Sequence, residues 1–401
     1  MTAGAGERPA NAPAPFAIPE RMELIVKVAE RCNLACTYCY FFFHKDRSYE
    51  SHPALITEDS VNGLCDFASS AALSGVKTIA IVFHGGEPLL LKPQRFDALC
   101  EALSAALEGL CNYSFSVQTN ATLIDETWVD LFAKWRMSVG VSLDGDEARN
   151  DAYRIDHQGR GSYQNALKGL RLLQGAAAEG RMGNPGLLSV VDPEGSGAAA
   201  YRHFVDELGF RRLSFLLLDE THDTITPKIV KGTEDFMLGV FQEWTRDDRK
   251  DITVRFFSEL IACFCSDEEM KHFAPYREDM SNVFTVSSAG DVGMDDVIRS
   301  LGGRFAEHRF NLFDHRLETV VQSDLYREIR TAIHAHRPAA CAACDWWKLC
   351  RGGRVNTRFD EASGFERETV YCSALKNIYS RVVSYLLDNG IDGDDILRRL
   401  S

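Results

Sequence analysis

The chain has 401 residues, 45% of them hydrophobic and 25% charged, which is the composition of an ordinary globular protein with two or three domains or one barrel plus an extension. Its 58 acidic residues outnumber 44 basic ones, for a net charge of −14, and this excludes the basic footprint that nonspecific nucleic-acid binding requires. No apolar run approaches the roughly 18 residues needed to span a bilayer, so the expected location is the cytoplasm and neither membrane nor nucleic acid is an expected partner.

Residues Met1 to Pro19 are rich in Ala, Pro and Gly and contain no apolar h-region, so residues 1–19 read as a disordered lead-in and not as a signal peptide. From Glu23 to Leu218 short apolar runs alternate with longer amphipathic ones. The predicted strands are Glu23–Val28, Thr78–Phe83, Tyr113–Gln118, Met137–Leu143, Gly186–Val191 and Arg212–Leu217. The predicted helices between them are Ser60–Ser74, Pro93–Leu110, Asp125–Lys134, Tyr163–Ala178 and Ser196–Leu208, with Thr226–Arg246 closing the series. Six βα repeats with a parallel sheet make an α/β fold, a partial (β/α)6 TIM barrel over residues 20–250. A full eight-stranded barrel is the alternative, but the periodicity fades after Leu218. Residues 251–385 read as a C-terminal extension and 386–401 as a tail.

Parallel barrels place their sites at the C-terminal ends of the strands. The first strand leads into Cys32, Cys36 and Cys39, the second ends in His84-Gly85-Gly86-Glu87-Pro88, the third in Gln118-Thr119-Asn120, and the fourth in Ser142-Leu143-Asp144-Gly145. Four polar endings therefore share one rim.

Seven of the 12 cysteines fall in two tight groups, and a chain without an export signal uses such groups for metal. The first group has the spacing C-x3-C-x2-C, with Tyr38 before the last cysteine. Three thiolates on one loop can hold three irons of a [4Fe–4S] cube and leave the fourth open to a small chelating ligand. That arrangement suits reductive cleavage of S-adenosylmethionine (AdoMet) to a 5′-deoxyadenosyl radical. Structural zinc is the competing assignment, but it wants four ligands in two knuckles, and His44 is the nearest further candidate. The second group, Cys341, Cys344, Cys350 and Cys372, supplies four thiolates, enough to close a second [4Fe–4S] cube or to hold zinc. Cys65, Cys100 and Cys111 read as core residues.

The C-x3-C-x2-C loop, the Gly85-Gly86-Glu87-Pro88 turn and the order of the remaining rim motifs resemble the radical AdoMet superfamily. The resemblance implies that Gly85, Gly86, Glu87 and Pro88 approach the amino group of AdoMet. It implies that Ser142 and Arg154 contact its ribose and carboxylate, with Tyr38, Gln118 and Asn120 as further contacts. Each of these residues has a plain reading as a turn or capping residue.

The second cysteine group, followed by Gly352-Gly353, resembles the SPASM extension of enzymes that modify peptides and proteins. The full pattern has seven cysteines and two auxiliary clusters. Here Asp295 stands for the cysteine of Gly-x4-Cys, counted from Gly290, and Arg354 stands for another, so one auxiliary cluster is expected. Cys263 and Cys265 are distant substitutes. In protein-oxidising members an Asp after that cysteine acts as a base, and Asp296, with Asp295 as fallback, falls there; the alternative is a cap for a helix starting near Val297. The stretches Cys350–Phe359, Ser363–Phe365 and Val370–Leu375 are most similar to maturases that join an aromatic side chain to the Cβ of a nearby residue, giving a cyclophane. That resemblance implies a precursor peptide as substrate and an electron donor such as flavodoxin or ferredoxin. Formylglycine formation in a sulfatase, thioether formation on a peptide and a non-catalytic iron–sulfur scaffold are the alternatives.

Overall fold

Strand β1, Arg21–Ala29, alternates Met22, Leu24, Val26 and Val28 on one face with Arg21, Glu23, Ile25 and Lys27 on the other. The first face is buried under helices, so β1 has the period-2 pattern of a strand that is apolar on its helix side. The computed structural model describes residues 16–272 and 281–401; most of the lead-in expected over 1–19 lies outside them. The next five strands are β2 (Thr78–Gly85), β3 (Asn112–Thr119), β4 (Ser138–Ser142), β5 (Gly186–Val190) and β6 (Arg212–Leu216). All pair in parallel in sequence order, so the six βα repeats are present. Leu24, Val26, Ile79, Ile81, Phe83, Val117 and Val141 face helices whose buried sides carry Leu64, Phe67, Phe96, Leu103, Phe132 and Leu170.

The opposite, inward face mixes small and polar residues, among them Ala80, Ser114, Ser116, Gly140, Ser142 and Ser214, with the apolar Ile25, Val82, Leu188 and Leu216. Short side chains there leave room within the curve of the sheet instead of filling it. Five helix starts on the barrel are capped by a side chain. Thr57, Asp125, Asp146, Ser196 and Thr226 each accept a backbone N–H of the first turn. The helix expected over Ser196–Leu208 is α-helical only at Gly197–Arg202 and then widens into a π-turn at His203–Glu207, where His203 bonds both Tyr163 and Glu207 at 2.9 Å.

The sheet continues past six strands at both edges. Thr253–Val254 (β7) adds in parallel to β6. Val283–Val286 (β8) adds in parallel to β1, and Asp291–Met294 (β9) and Phe310–Asn311 (β10) follow antiparallel. Residues of the extension thus join the barrel sheet directly, so the boundary expected near residue 250 is not a break in hydrogen bonding. Helix Cys372–Asp388 packs on helix Pro227–Arg246, and residues 393–400 form a last helix with Ile396 buried. Among the described residues, no helix is long and apolar enough to cross a membrane.

Candidate functional site

The first cysteine loop is fixed to the rim by backbone. Ala35 and Thr37 donate to the carbonyls of Ile155 and Tyr153 at 2.7 and 3.0 Å, and His157 Nε2 sits 2.8 Å from the Cys32 carbonyl. The loop also leans on the glycines of β2. A Cβ on Gly85 would lie 2.0 Å from the Ala29 carbonyl oxygen, and one on Gly86 would lie 2.3 Å from that of Arg31. Gly86 and Glu87 donate their N–H groups to those same carbonyls at 2.8 and 2.9 Å. The glycines therefore let β2 crowd the base of the cysteine loop, a duty beside the ligand approach and the plain turn expected of them.

Glu87 likewise acts as a strut. Its buried carboxylate accepts from Thr119 Oγ1 at 2.7 Å, the Asn120 N–H at 2.9 Å and the Leu89 N–H at 3.1 Å, tying the end of β2 to that of β3. Burial pushes its carboxyl up to about 7 against those three bonds. Pro88 opens the short helical turn that follows.

The remaining rim residues do come together. Asn120 Nδ2 reaches Asn33 Oδ1 at 3.0 Å and lies 3.9 Å from Cys32 Sγ. Gln118 lies over Gly140, where a Cβ would be 2.1 Å from its amide oxygen, and donates to Ser142 Oγ at 2.7 Å. Arg154 Nε donates to Asp144 Oδ2 at 2.8 Å, Tyr38 donates to the same oxygen, and the guanidinium lies 5.7 Å from the Tyr38 ring centroid. Asp144 thus aims Arg154; sequence reasoning passed over it although it stands in the Ser142-Leu143-Asp144-Gly145 ending.

The donor chemistry fits iron–sulfur binding at both cysteine groups. Burial raises all three thiols of the first group, Cys36 to about 11, and Cys36 and Cys39 each push Cys32 further up. Cys350 is raised to about 12, first by burial and then by Cys372, Cys341 and Cys344, so all four thiols of the second group converge. Buried thiols that oppose one another's ionisation become thiolates only when a metal centre compensates them. None of the 12 cysteines is in a disulfide. Cys263, by contrast, bonds the Glu259 carbonyl one helical turn back at 3.2 Å, and Cys265 is exposed.

A charged network lies beside the rim, between β1, β2 and the extension. Lys27 ion-pairs with Asp296, Tyr40 donates to Asp296, and Lys27 Nζ is 3.3 Å from His84 Nδ1. Lys27 and His84 are register partners on β1 and β2, and β8 beside β1 brings up Asp296. Burial favours the neutral form of Asp296, yet the Lys27 charge and the bonds from Lys27 and Tyr40 override it and hold its carboxyl below the usual range. Asp295 moves the other way, raised first by burial and then by the Asp296 charge. The two carboxyls are thus pushed apart, Asp296 toward the ionised form and Asp295 toward the protonated one. Asp295 also caps helix Asp296–Arg299 through the Val297 N–H at 3.0 Å, so the capping reading applies to Asp295, while Asp296 faces the network. Arg354 lowers Asp295 electrostatically and pairs with half-buried Asp219 at 3.8 Å. The two residues that stand for cysteines of the fuller pattern are therefore neighbours in one salt cluster.

Sequence reasoning missed Lys27, Tyr40 and His84 as site residues. The signals were a lysine inside the apolar run Leu24–Ala29, a histidine directly before the glycine pair, and a tyrosine next to Cys39.

A β/α partial barrel with three thiols on the loop after its first strand, backed by a glycine turn and a polar rim, defines a radical AdoMet enzyme, and residues 26–185 match the radical SAM superfamily. AdoMet and [4Fe–4S] clusters are its cofactors. The chain is similar to a cysteine-type anaerobic sulfatase-maturating enzyme of Clostridium novyi, 25% identical over 90% of this chain and 95% of that protein. It is also similar to a serine-type anaerobic sulfatase-maturating enzyme of Bacteroides thetaiotaomicron, 23% identical over 93% and 92%. The solved structure of anSMEcpe with bound AdoMet superposes with a TM-score of 0.76 at 21% identity, covering 92% of this chain and all of that one. SuiB of Streptococcus suis bound to S-adenosylmethionine follows at 0.61 and 19%, covering 89% and 78%. Both structural likenesses establish the fold.

Proposed function

We propose that the protein oxidises the β-carbon of one residue in a peptide or protein substrate, and that the maturation of a sulfatase Cys or Ser to formylglycine is the first reading of that oxidation. The observation that carries the common step is Asp296, buried and ion-paired with Lys27, bonded by Tyr40 and set beside the cysteine loop, with His84 against the same lysine. The fate of the carbon follows the sulfatase-maturating relatives, which match over nearly the whole chain.

Cys32, Cys36 and Cys39 would hold the cluster that binds AdoMet, Cys341, Cys344, Cys350 and Cys372 an auxiliary one. Together these groups supply a 5′-deoxyadenosyl radical and an electron acceptor. Arg154, aimed by Asp144, would face the AdoMet carboxylate, with Ser142, Gln118 and Asn120 along the rim. Asp296 stands where a proton leaves the oxidised substrate. Lys27 keeps it ionised and also makes it a weak base, so proton departure is coupled to movement of Lys27. His84, lowered to about 4 by burial and then by Lys27, is neutral at pH 7 and is the adjoining acceptor. The reductant would be a flavodoxin or ferredoxin.

A second reading, formation of a crosslink between the β-carbon and an aromatic ring of a precursor peptide, is favoured by one feature. Asp295 and Arg354 replace two cysteines of the full extension pattern and form a salt cluster there. Mass spectrometry separates the readings. A serine or cysteine sulfatase peptide converted to formylglycine acquires a carbonyl that reacts with a hydrazide. A crosslinked peptide loses two hydrogens, stays inert to hydrazide and resists fragmentation between the joined residues. Asp296→Asn is expected to keep 5′-deoxyadenosine release and lower product by about 10²–10⁴-fold. Wild-type product from Asp296→Asn would remove the acid from the mechanism.

A further inference from the structure

A polar cluster outside both cysteine groups has the makeup of a metal site. Buried His52 presents Nε2 to Asp291 Oδ2 at 3.1 Å, and His308 Nδ1 meets the same oxygen at 3.1 Å. The two rings approach edge to face with centroids 4.8 Å apart. One ligand atom from each of the three residues lies within 4.8 Å of the others. Donors sharing a tetrahedral zinc at about 2.0–2.1 Å lie about 3.3 Å from one another. The two contacts to Asp291 are close to that spacing, and the third separation, within 4.8 Å, is the one that a bound ion would have to close.

The surroundings are those of a built site. The other nitrogen of His52, Nδ1, is 2.8 Å from Glu30 Oε2, and the Glu30 carboxylate is buried and fixed by the Ser288 N–H at 2.7 Å through its other oxygen. A carboxylate on the rear nitrogen is the partner that sets the tautomer of a metal-ligating histidine and raises its basicity. Asp291 is held by Ser287 Oγ, which lies 3.2 Å from Oδ2 and accepts the Asp291 N–H at 2.9 Å. His308 is partly open to solvent and gives an entry path.

We propose that His52, Asp291 and His308 bind one Zn²⁺, with Glu30 orienting His52 from behind and the fourth position open to water. Two imidazoles and a carboxylate are ligands that suit zinc. The ion would tie the stretch after the first cysteine loop to the start of β9 and the approach to β10, two segments that already pair through backbone at Asp291 and Asn311. Through Glu30 it also bears on the residue pair that leads into Cys32. The site is a clip at the seam of barrel and extension.

The test uses the anaerobically reconstituted holoenzyme, incubated with one equivalent of ZnCl₂, passed over a desalting column and assayed for both metals. The wild type is expected to retain one zinc per chain with iron unchanged. Its zinc X-ray absorption should show nitrogen and oxygen scatterers at about 2.0–2.1 Å. Asp291→Asn and His308→Ala should each weaken zinc binding by about tenfold or more, and so should Glu30→Gln. Zinc should raise the thermal midpoint of the wild type and leave that of His308→Ala in place. A wild type that retains no zinc, sulfur scatterers around the zinc, or undiminished binding in both His308→Ala and Asp291→Asn would each overturn the assignment. His308 lies at the surface, so its variant tests the site without disturbing the core.

Discussion

The two cysteine groups sit in opposite kinds of scaffold. The first rides on a loop held by backbone bonds to its neighbours and by glycines that let β2 press against it. Its thiols face a rim of Asn120, Arg154 and Tyr38 that remains half open. The second is built around Arg358, a fully buried side chain that donates to the carbonyls of Ala332 and Phe365 at 2.6 Å each and of Arg367 at 3.1 Å. Gly353, with φ 82°, packs against Thr369, where a Cβ would be 2.4 Å from that side chain, and Thr369 donates its N–H to the Gly352 carbonyl at 2.8 Å. A three-thiol group that must admit a ligand is held from outside. A four-thiol group that admits none is riveted from within.

The strongest way to break this comparison is to remove the open group. Replacing Cys32, Cys36 and Cys39 together by Ala is expected to abolish 5′-deoxyadenosine release under dithionite while about four irons per chain remain, against about eight in the wild type. Release that persists would mean that AdoMet binds elsewhere.

Removing the rivet should do the reverse. Arg358→Met keeps the volume but leaves three carbonyls without a donor, at a cost of roughly 2–4 kcal/mol. The second cluster's iron should be lost before the first's, with AdoMet cleavage partly retained. Equal loss from both groups on titration with a chelator would show that the scaffolds are not independent.

The acid pair sharpens the contrast between the rim and the extension. Asp295 is raised in the fold, so the native state binds more protons than the unfolded chain above the ordinary carboxylate pKa of about 3.9. Stability therefore falls as pH rises from there toward the folded value. Asp295→Asn keeps the cap and removes the charge, and it should flatten that slope in denaturant titrations between pH 5 and 8. An unchanged slope would place the proton on another group. The Asp296 contribution runs the other way, present above the ordinary carboxylate range and lost only as pH falls through its depressed folded value.

The smallest effect is expected at the remaining cysteines of the extension. Cys265→Ser should leave iron at about eight per chain and stability within about 0.5 kcal/mol. A drop of four irons would make Cys265 a ligand and add a third cluster to the comparison.

The chain by itself determined the repeating architecture, because alternation of period two and of period 3.6 is set residue by residue. Strand and helix limits such as Thr78–Phe83 and Tyr163–Ala178 agree with the structure to within a few residues. It also determined both cysteine groups, since ligand spacing within a loop is local. What the tertiary structure decided is which distant residues share a charge. Lys27 and His84 meet through the register of β1 and β2, and Asp296 joins them because β8 pairs with β1; no local pattern encodes a pairing between residues 23–26 and 283–286. Glu87 became a strut and Asp144 a positioning group for the same reason: their partners come from neighbouring strands. The His52–Asp291–His308 cluster rests on the same pairing, with three residues far apart in the chain and no motif among them. A side chain's rotamer and helical or strand phase are short-range properties, whereas its ionisation is fixed by whatever the fold places within a few ångströms of it.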